Sequence, residues 1–250
     1  MSFPVIIHGT EGEQYSTYTS KRWPLGTKMV LQDGREYRFG KAAATNIAAG
    51  KLCAATANGA NFDELAVPAA VAVGQRTVTI TNGATAIATD DFEDGYLNVE
   101  DDAGEGYLYK IKSHGIAGGS ASVDIELASP GGLVVAWTTS TTVGLMTNPY
   151  KAAIIHPSPN VTALIGVTNA AVTAANYGWF QVKGPGSVLI DGTVVIGDSV
   201  MASDAVDGAV EAWGLAEAAP PTEITPAVGT VIEVAADTEH GHILLNVPGW

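Results

Sequence analysis

Short runs of apolar residues recur along this chain, and in its last third they are separated by glycine turns. The segment Tyr107-Leu-Tyr-Lys-Ile-Lys112 sends alternate side chains to opposite faces, as a sheet with one wet face requires. From Tyr177 the chain reads Y-G-W-F-Q-V-K-G-P-G-S-V-L-I-D-G-T-V-V-I-G-D-S-V-M, followed by V-G-T-V-I-E-V-A-A-D and G-H-I-L-L-N. Runs of β-branched and aromatic residues closed by Gly, Pro, Asn and Asp predict short strands joined by turns. Strands so short and so closely spaced fit a sandwich or a barrel.

The pattern predicts a hairpin from Met29 to Phe39, with Asp33-Gly34 as a two-residue type I′ turn. Residues 1 to 28 show no sustained period and are expected to form an extended N-terminal arm. The alanine-rich stretch from Lys41 to Ala72 supports at most a short helix near Asn61 to Ala66, because Gly50, Gly59 and Pro68 interrupt anything longer. Further strands are expected at Arg76–Thr81, Tyr96–Val99, Tyr107–Lys112, Val123–Leu127 and Leu133–Thr138, with a turn at Asn82-Gly83. Ala216 to Pro226, with its three prolines, is expected to be a loop. The expected class is all-β, with short antiparallel strands in sandwich- or barrel-like domains. The division is 1–54 for arm and hairpin, 55–150 for a first β-domain and 151–250 for a C-terminal β-domain. No exact internal repeat is visible, although a Gly-X-Val cadence recurs from Gly184 to Gly214.

Charge narrows the function classes. The chain has 26 acidic and 12 basic residues and a formal net charge of -14, which opposes binding to nucleic acid or to anionic membranes. The opening 52 residues run against that balance, carrying Lys21, Arg22, Lys28, Arg35, Arg38, Lys41 and Lys51 against Glu11, Glu13, Asp33 and Glu36. After residue 113 only Lys151 and Lys183 are basic. A basic arm on an acidic body suits docking onto an acidic neighbour. The single cysteine, Cys53, forms no internal disulfide and reads as a small core residue. The N-terminus lacks a secretory pattern and no run of about 18 apolar residues occurs, so a soluble chain made in the cytoplasm is expected.

Candidate chemistry is sparse. Asp90-Asp91-Phe-Glu93-Asp94, with Glu100, Asp101, Asp102 and Glu105, offers carboxylates to a calcium ion but lacks the alternating spacing of a known loop, so solvated turns are expected. His240-Gly241-His242 puts two imidazoles on one side of an extended chain without a third ligand nearby. Gly184-Pro185-Gly186-Ser187 lacks the lysine and the following helix of a phosphate loop. No G-x-S-x-G occurs and the five histidines are scattered. The expectation is therefore no enzyme, no cofactor and no metal. Of the five tryptophans, Trp179 and Trp213 lie in strand patterns and are expected in the core. Trp23 and Trp250 lie near the termini and are expected to be interface anchors.

An ordered set of segments carries a resemblance: Asp33-Gly-Arg-Glu-Tyr-Arg-Phe39, Asn46-Ile-Ala-Ala-Gly50, Asp94-Gly-Tyr-Leu-Asn-Val99, Gly104-Glu-Gly-Tyr107, Lys112-Ser-His114, Asn148-Pro-Tyr150 and Tyr177-Gly-Trp179. Together they resemble the capsid decoration (cement) proteins of tailed bacteriophages, particularly those of cyanophage-like viruses. The resemblance implies a mainly β virion protein on the outer capsid surface, a homotrimer that binds the major capsid protein and clamps neighbouring capsomers. The expected contact residues are Lys21, Arg22, Trp23, Lys28, Arg35 and Arg38. A tail- or receptor-associated module that binds host glycans is the alternative, and a polysaccharide depolymerase the third reading.

Overall fold

Strands form where apolar residues recur at alternate positions, and the computed structural model describes residues 6–159, 162–213 and 226–247. In chain order they are β1 (Ile6–His8), β2 (Lys28–Val30), β3 (Glu36–Lys41), β4 (Leu52–Ala55), β5 (Leu65–Ala66), β6 (Thr77–Thr81), β7 (Tyr96–Asp101), β8 (Leu108–His114) and β9 (Ser122–Leu127). There follow β10 (Thr142–Met146), β11 (Ala153–Ile155), β12 (Leu164–Thr168), β13 (Tyr177–Leu189), β14 (Ser199–Ala202), β15 (Val210–Ala212), β16 (Gly229–Glu233) and β17 (His240–Asn246). The fold is all-β. Among the described residues the only helical element is a 3-10 turn at Glu13–Tyr15.

The chain divides into two compact units, Met1–Ala57 with Pro149–Trp250, and Asn58–Asn148. The expected three-part division differs from this, because the opening segment and the C-terminal part build one unit. β4 and β11 pair antiparallel, Ala55 opposite Ala153, so the second unit interrupts what would otherwise be a hairpin connection. A domain whose own ends lie close together can be inserted there without parting the flanking strands.

In the inserted unit the six strands follow the order β5-β10-β7-β8-β9-β6, and the two edge strands approach each other in an almost closed barrel. Alternation places Leu97 and Val99, Tyr109 and Ile111, Val123 and Ile125, Val143 and Leu145 inside, around Phe92 and Trp137. Intervening residues face outward, which is the period-two signature of a sheet wet on one side.

The larger unit is organised by β13. Its first half pairs with β3, Tyr177 opposite Lys41, and its second half with β17, Lys183 opposite Asn246 through Leu189 opposite His240. Gly184-Pro185-Gly186, which only superficially resembles a phosphate loop, lies within this strand, and the strand continues through it. β3 pairs only as far as Lys183, so the missing proline N–H faces no neighbouring strand. The Pro185 carbonyl on that side accepts Gln181 Nε2 at 2.8 Å. Gly184 takes φ +91°, and a Cβ there would lie 2.9 Å from Arg35 Cγ. Both faces of this sheet are covered in places, so β4 and β12 are buried along their whole lengths.

A repeat too degenerate to read in sequence is plain in the hydrogen bonds. Three pairs of turns meet through single antiparallel bridges, Ile47 with Val172, Val71 with Trp137 and Ile87 with Ala117. Each pair exchanges backbone bonds in both directions, at 2.8 to 3.1 Å. Three residues after the bridge the backbone takes positive φ at Gly50, Gly74, Asp90, Ser120 and Ala175, and a strand follows. Gly50, Ala175, Gly74 and Ser120 then donate to Thr168, Ala43, Leu133 and Gly83 respectively, each four residues ahead of the partner's bridge. Only backbone atoms are needed, so glycine, aspartate, serine and alanine all serve.

Other expectations change in detail. The hairpin forms, but Gly34 N bonds to Leu31 O and Leu31 N to Arg35 O, which makes a three-residue loop with Gly34 at φ +87°. Asp33 keeps negative φ, so a type I′ turn is excluded. The short helix near Asn61 to Ala66 is absent: Asn61 and Glu64 take φ 73° and 51°, and Leu65–Ala66 is β5. Leu133–Thr138 is a turn region and not a strand, tied to the turn at 71–75 by the Val71–Trp137 bridge and by backbone bonds of Leu133 with Gly74 and Gln75. Asn82 is buried and ties Thr85 O and Gly118 O together instead of closing a hairpin. Most of the loop expected at 216–226 lies outside the described residues.

Candidate functional site

The expected arm is part of the larger unit. β1 runs parallel to β2, with Ile6 beside Lys28, and Tyr18 bridges to Tyr177. Gln14 is fully buried, its Oε1 accepting Gly12 N at 2.8 Å. Trp23, expected to be a free anchor, is half-buried in an aromatic cluster. Its ring lies 5.1 Å from Phe39, 5.2 Å from Trp179 and 5.6 Å from Tyr18, centroid to centroid. β3 and β13 supply Phe39 and Trp179 as directly opposed residues, which fixes the floor of this cluster.

The expected cations are drawn into the same fold. Arg22 is exposed with its Cζ 5.4 Å over the Tyr18 ring. Lys28 pairs with Glu36 at 2.7 Å. Arg35 bonds Glu11, Asp33 Oδ2 at 2.6 Å and the Tyr37 hydroxyl at 3.2 Å. The Arg35 backbone N–H bond, helped by its guanidinium, holds the Asp33 carboxyl below its ordinary value. Arg38 sits opposite Phe180, one residue out of phase with Phe39, so it leaves the sheet on the face away from Trp23. Its Nη1 donates to Gly26 O at 3.0 Å. Lys21 is half-buried in the loop before Trp23. The structure thus gathers Lys21, Arg22 and Trp23 on one loop but does not bring all six residues to one surface.

The remaining tryptophans separate. Trp179 and Trp137 are core, whereas Trp213, expected in the core, is 45% exposed and Trp250 lies outside the described residues. Trp213 N donates to Ser199 O, and Ser199, Thr230, Leu244 and Pro185 are successive cross-strand neighbours on the outward face of β14, β16, β17 and β13. Leu244, 49% exposed, and the bulged Ile232 add apolar surface to this row.

Acidic residues at 90–105 close turns, as the solvated-turn reading expects. Asp90 Oδ1 accepts His114 N at 2.9 Å, Asp91 Oδ2 accepts Ala88 N at 2.6 Å and Asp101 Oδ1 accepts Asp102 N at 2.8 Å. His114 is structural too: its Nε2 accepts Phe92 N at 2.8 Å while Nδ1 faces Gly115 O. Among the described residues no three metal-ligating side chains converge. His242 Nδ1 lies 2.5 Å from Glu233 Oε2, and His240 packs against Gly50 instead of sharing a ligand with it. Cys53 is fully buried, and burial pushes its thiol up to about 12.

One concavity was not anticipated. In the inserted unit a cavity of about 390 Å³ opens on the outward face of β8, β7 and β10. Leu108, Asn98 and Gly144 lie in one cross-strand row there. Gly144 has no side chain to fill the row, and the Glu100 carboxylate occupies the space a Cβ would take. The segment 58–64 forms the wall, held by Asn58 Nδ2 to Leu145 O at 2.8 Å, Leu145 N to Phe62 O at 2.7 Å and Glu64 N to Glu100 Oε2 at 2.6 Å. Phe62, Leu108 and Met146 supply apolar lining, and Asp63, Asn98 and Glu100 supply polar groups. A signal existed in the sequence: Leu108 occupies the wet phase of an alternation whose other outward members are Lys110 and Lys112.

No protein-family model, no curated protein and no solved structure matches the chain.

Proposed function

We propose that the protein is a virion structural protein, a capsid decoration protein of a tailed bacteriophage that binds the major capsid protein on the outer shell as a homotrimer. The resemblance of the ordered segments from Asp33 to Trp179 motivates the reading. The observation that carries it is the set of exposed apolar residues Leu244, Ile232 and Trp213 on one sheet of the larger unit, with Ser199 and Thr230 between Trp213 and Leu244. Single exposed apolar residues need no explanation, but several large ones gathered on one sheet offer surface that association can cover. Clamping then works by multivalency, since a symmetric oligomer engages several shell subunits at once and modest contacts combine.

The test is electron microscopy of capsids with and without added purified protein, together with light scattering of the free chain. Threefold-arranged extra density that disappears with Leu244→Asp, while the variant stays folded, supports the proposal. Bare capsids at saturating protein overturn it.

A further inference from the structure

We propose that the cavity beneath Phe62 is a docking pocket for a basic side chain, lysine or arginine, presented by a partner protein. Charge is the first argument. Asn58–Asn148 holds 12 acidic residues (Asp63, Glu64, Asp90, Asp91, Glu93, Asp94, Glu100, Asp101, Asp102, Glu105, Asp124, Glu126) and 3 basic ones (Arg76, Lys110, Lys112), a balance of 3 − 12 = −9. The whole chain carries -14, so 91 of its 250 residues hold most of the excess. None of those three cations lines the cavity, whereas Asp63 and Glu100 do.

The lining supplies the second argument. A bare divalent ion wants a shell of oxygens, whereas among the described residues no three metal-ligating side chains converge, and Phe62, Leu108 and Met146 give this cavity apolar walls. A lysine or arginine side chain matches both parts, because its alkyl stem packs on apolar walls while its head meets a carboxylate. Glu100 is already positioned: its Oε2 accepts Glu64 N at 2.6 Å, which leaves Oε1 as the acceptor lying over Gly144. Asn98, between Leu108 and Gly144, adds an amide oxygen beside it. The volume is about that of a small ligand site, roomy for one long side chain.

The pocket does not depend on the virion reading, and its test uses no capsid. n-Butylguanidinium is titrated into the full chain and followed by amide chemical shifts, with uncharged N-butylurea of the same shape as control. Saturable shifts confined to residues around Asn98, Glu100 and Gly144 are expected, weakening about five-fold in Glu100→Gln and weakening in high salt. N-Butylurea should bind at least about five-fold less tightly. Glu100→Gln keeps an acceptor for Glu64 N. Should that variant unfold, Asp63→Asn and the salt titration of the wild-type chain carry the same test. Equal binding of the urea, no loss in the carboxylate variants, or shifts spread over the surface would overturn the proposal. Binding of a neutral sugar such as glucose with no response to butylguanidinium would overturn it in favour of a glycan site.

Discussion

The two units are built from the same kinds of residue but by different logic. The inserted unit is contiguous in sequence, and its strands β7 to β9 alternate inward and outward with one core between them. The larger unit joins two distant segments, and β4 and β12 are buried on both faces. Where one face is wet, the side-chain period reports the fold directly. Where both faces are covered, as along β4 and β12, it falls silent.

The largest expected effect separates the units outright. Deleting residues 1 to 28 removes β1, the Tyr18 bridge and Trp23 from the aromatic cluster, so unfolding of the larger unit should shift far down in temperature or be lost. The fragment Asn58–Asn148, expressed alone, should fold with a cooperative transition of its own. Calorimetry of the deletion variant and of the fragment checks both. A deletion variant with an unchanged thermal profile would return the opening segment to the status of a free arm. Within the full chain, Trp23→Ala should cost the larger unit about 2–3 kcal/mol, below the usual range for a fully buried tryptophan because this one is half-buried.

A middle-sized effect comes from Gln181. Its Nε2 donates to Pro185 O, its Oε1 accepts Asn169 Nδ2 at 3.0 Å, and the side chain is wholly buried. Gln181→Ala strands the Pro185 carbonyl and opens a space beside Gly186, so a loss of about 2 kcal/mol is expected in chemical denaturation of the larger unit. Leu108→Ala in the inserted unit should cost far less, because that side chain is 55% exposed.

Acid should part the units in the same order. His156 is fully buried with both ring nitrogens lacking a hydrogen bond, and burial lowers its pKa from 6.5. Asp207 and the backbone of Pro157, Ser203 and Ala209 oppose that shift without cancelling it, and Lys51 faces the same loop by donating to Asp207 O at 2.9 Å. The folded value lies below the unfolded one, so the unfolded chain binds the extra proton. Stability is therefore complete above pH 6.5 and declines as pH falls toward the folded value, by at most about 1.4 kcal/mol per pH unit for one proton. In the inserted unit the shifted carboxylates are Asp102, held down chiefly by the Thr138 hydroxyl, and Glu126, held down chiefly by Lys112. Their contributions are lost only below their ordinary values of 3.8 and 4.5. Thermal melts from pH 7 to 5 should move the larger unit, and His156→Leu should remove that slope while changing stability little at pH 7.

Legibility followed the same divide. Most of the inserted barrel could be read from alternation, including β6 to β9 within a residue or two. Its cavity could not, because it depends on Gly144 lying opposite Asn98, a register fact that no local window contains. In the larger unit the hairpin was legible from Asp33-Gly34, but the partner of each later strand was not. Trp23 read as outside the strand rhythm, which is correct. The step from there to a free anchor failed because aromatic clusters recruit loop residues as readily as strand residues.

The smallest effect concerns the cations beside that cluster. Lys28 and Glu36 lie 2.7 Å apart with side chains 26% and 24% exposed, a pair at the surface and partly screened. Lys28→Gln should therefore change the stability of the larger unit by less than about 1 kcal/mol. Arg22→Gln removes a cation stacked on an already supported Tyr18 ring, and should cost no more than about 0.5–1 kcal/mol. Neither change should touch the inserted unit at all. Because their folding cost is small, these two variants report cleanly on association. If the loop bearing Lys21, Arg22 and Trp23 meets an acidic partner, the double variant should slow association and flatten its salt dependence while the melting temperature barely moves. Kinetics of capsid binding at two ionic strengths, set beside the thermal melt, is the measurement. Unchanged rates would mean that these cations serve the fold of the larger unit alone.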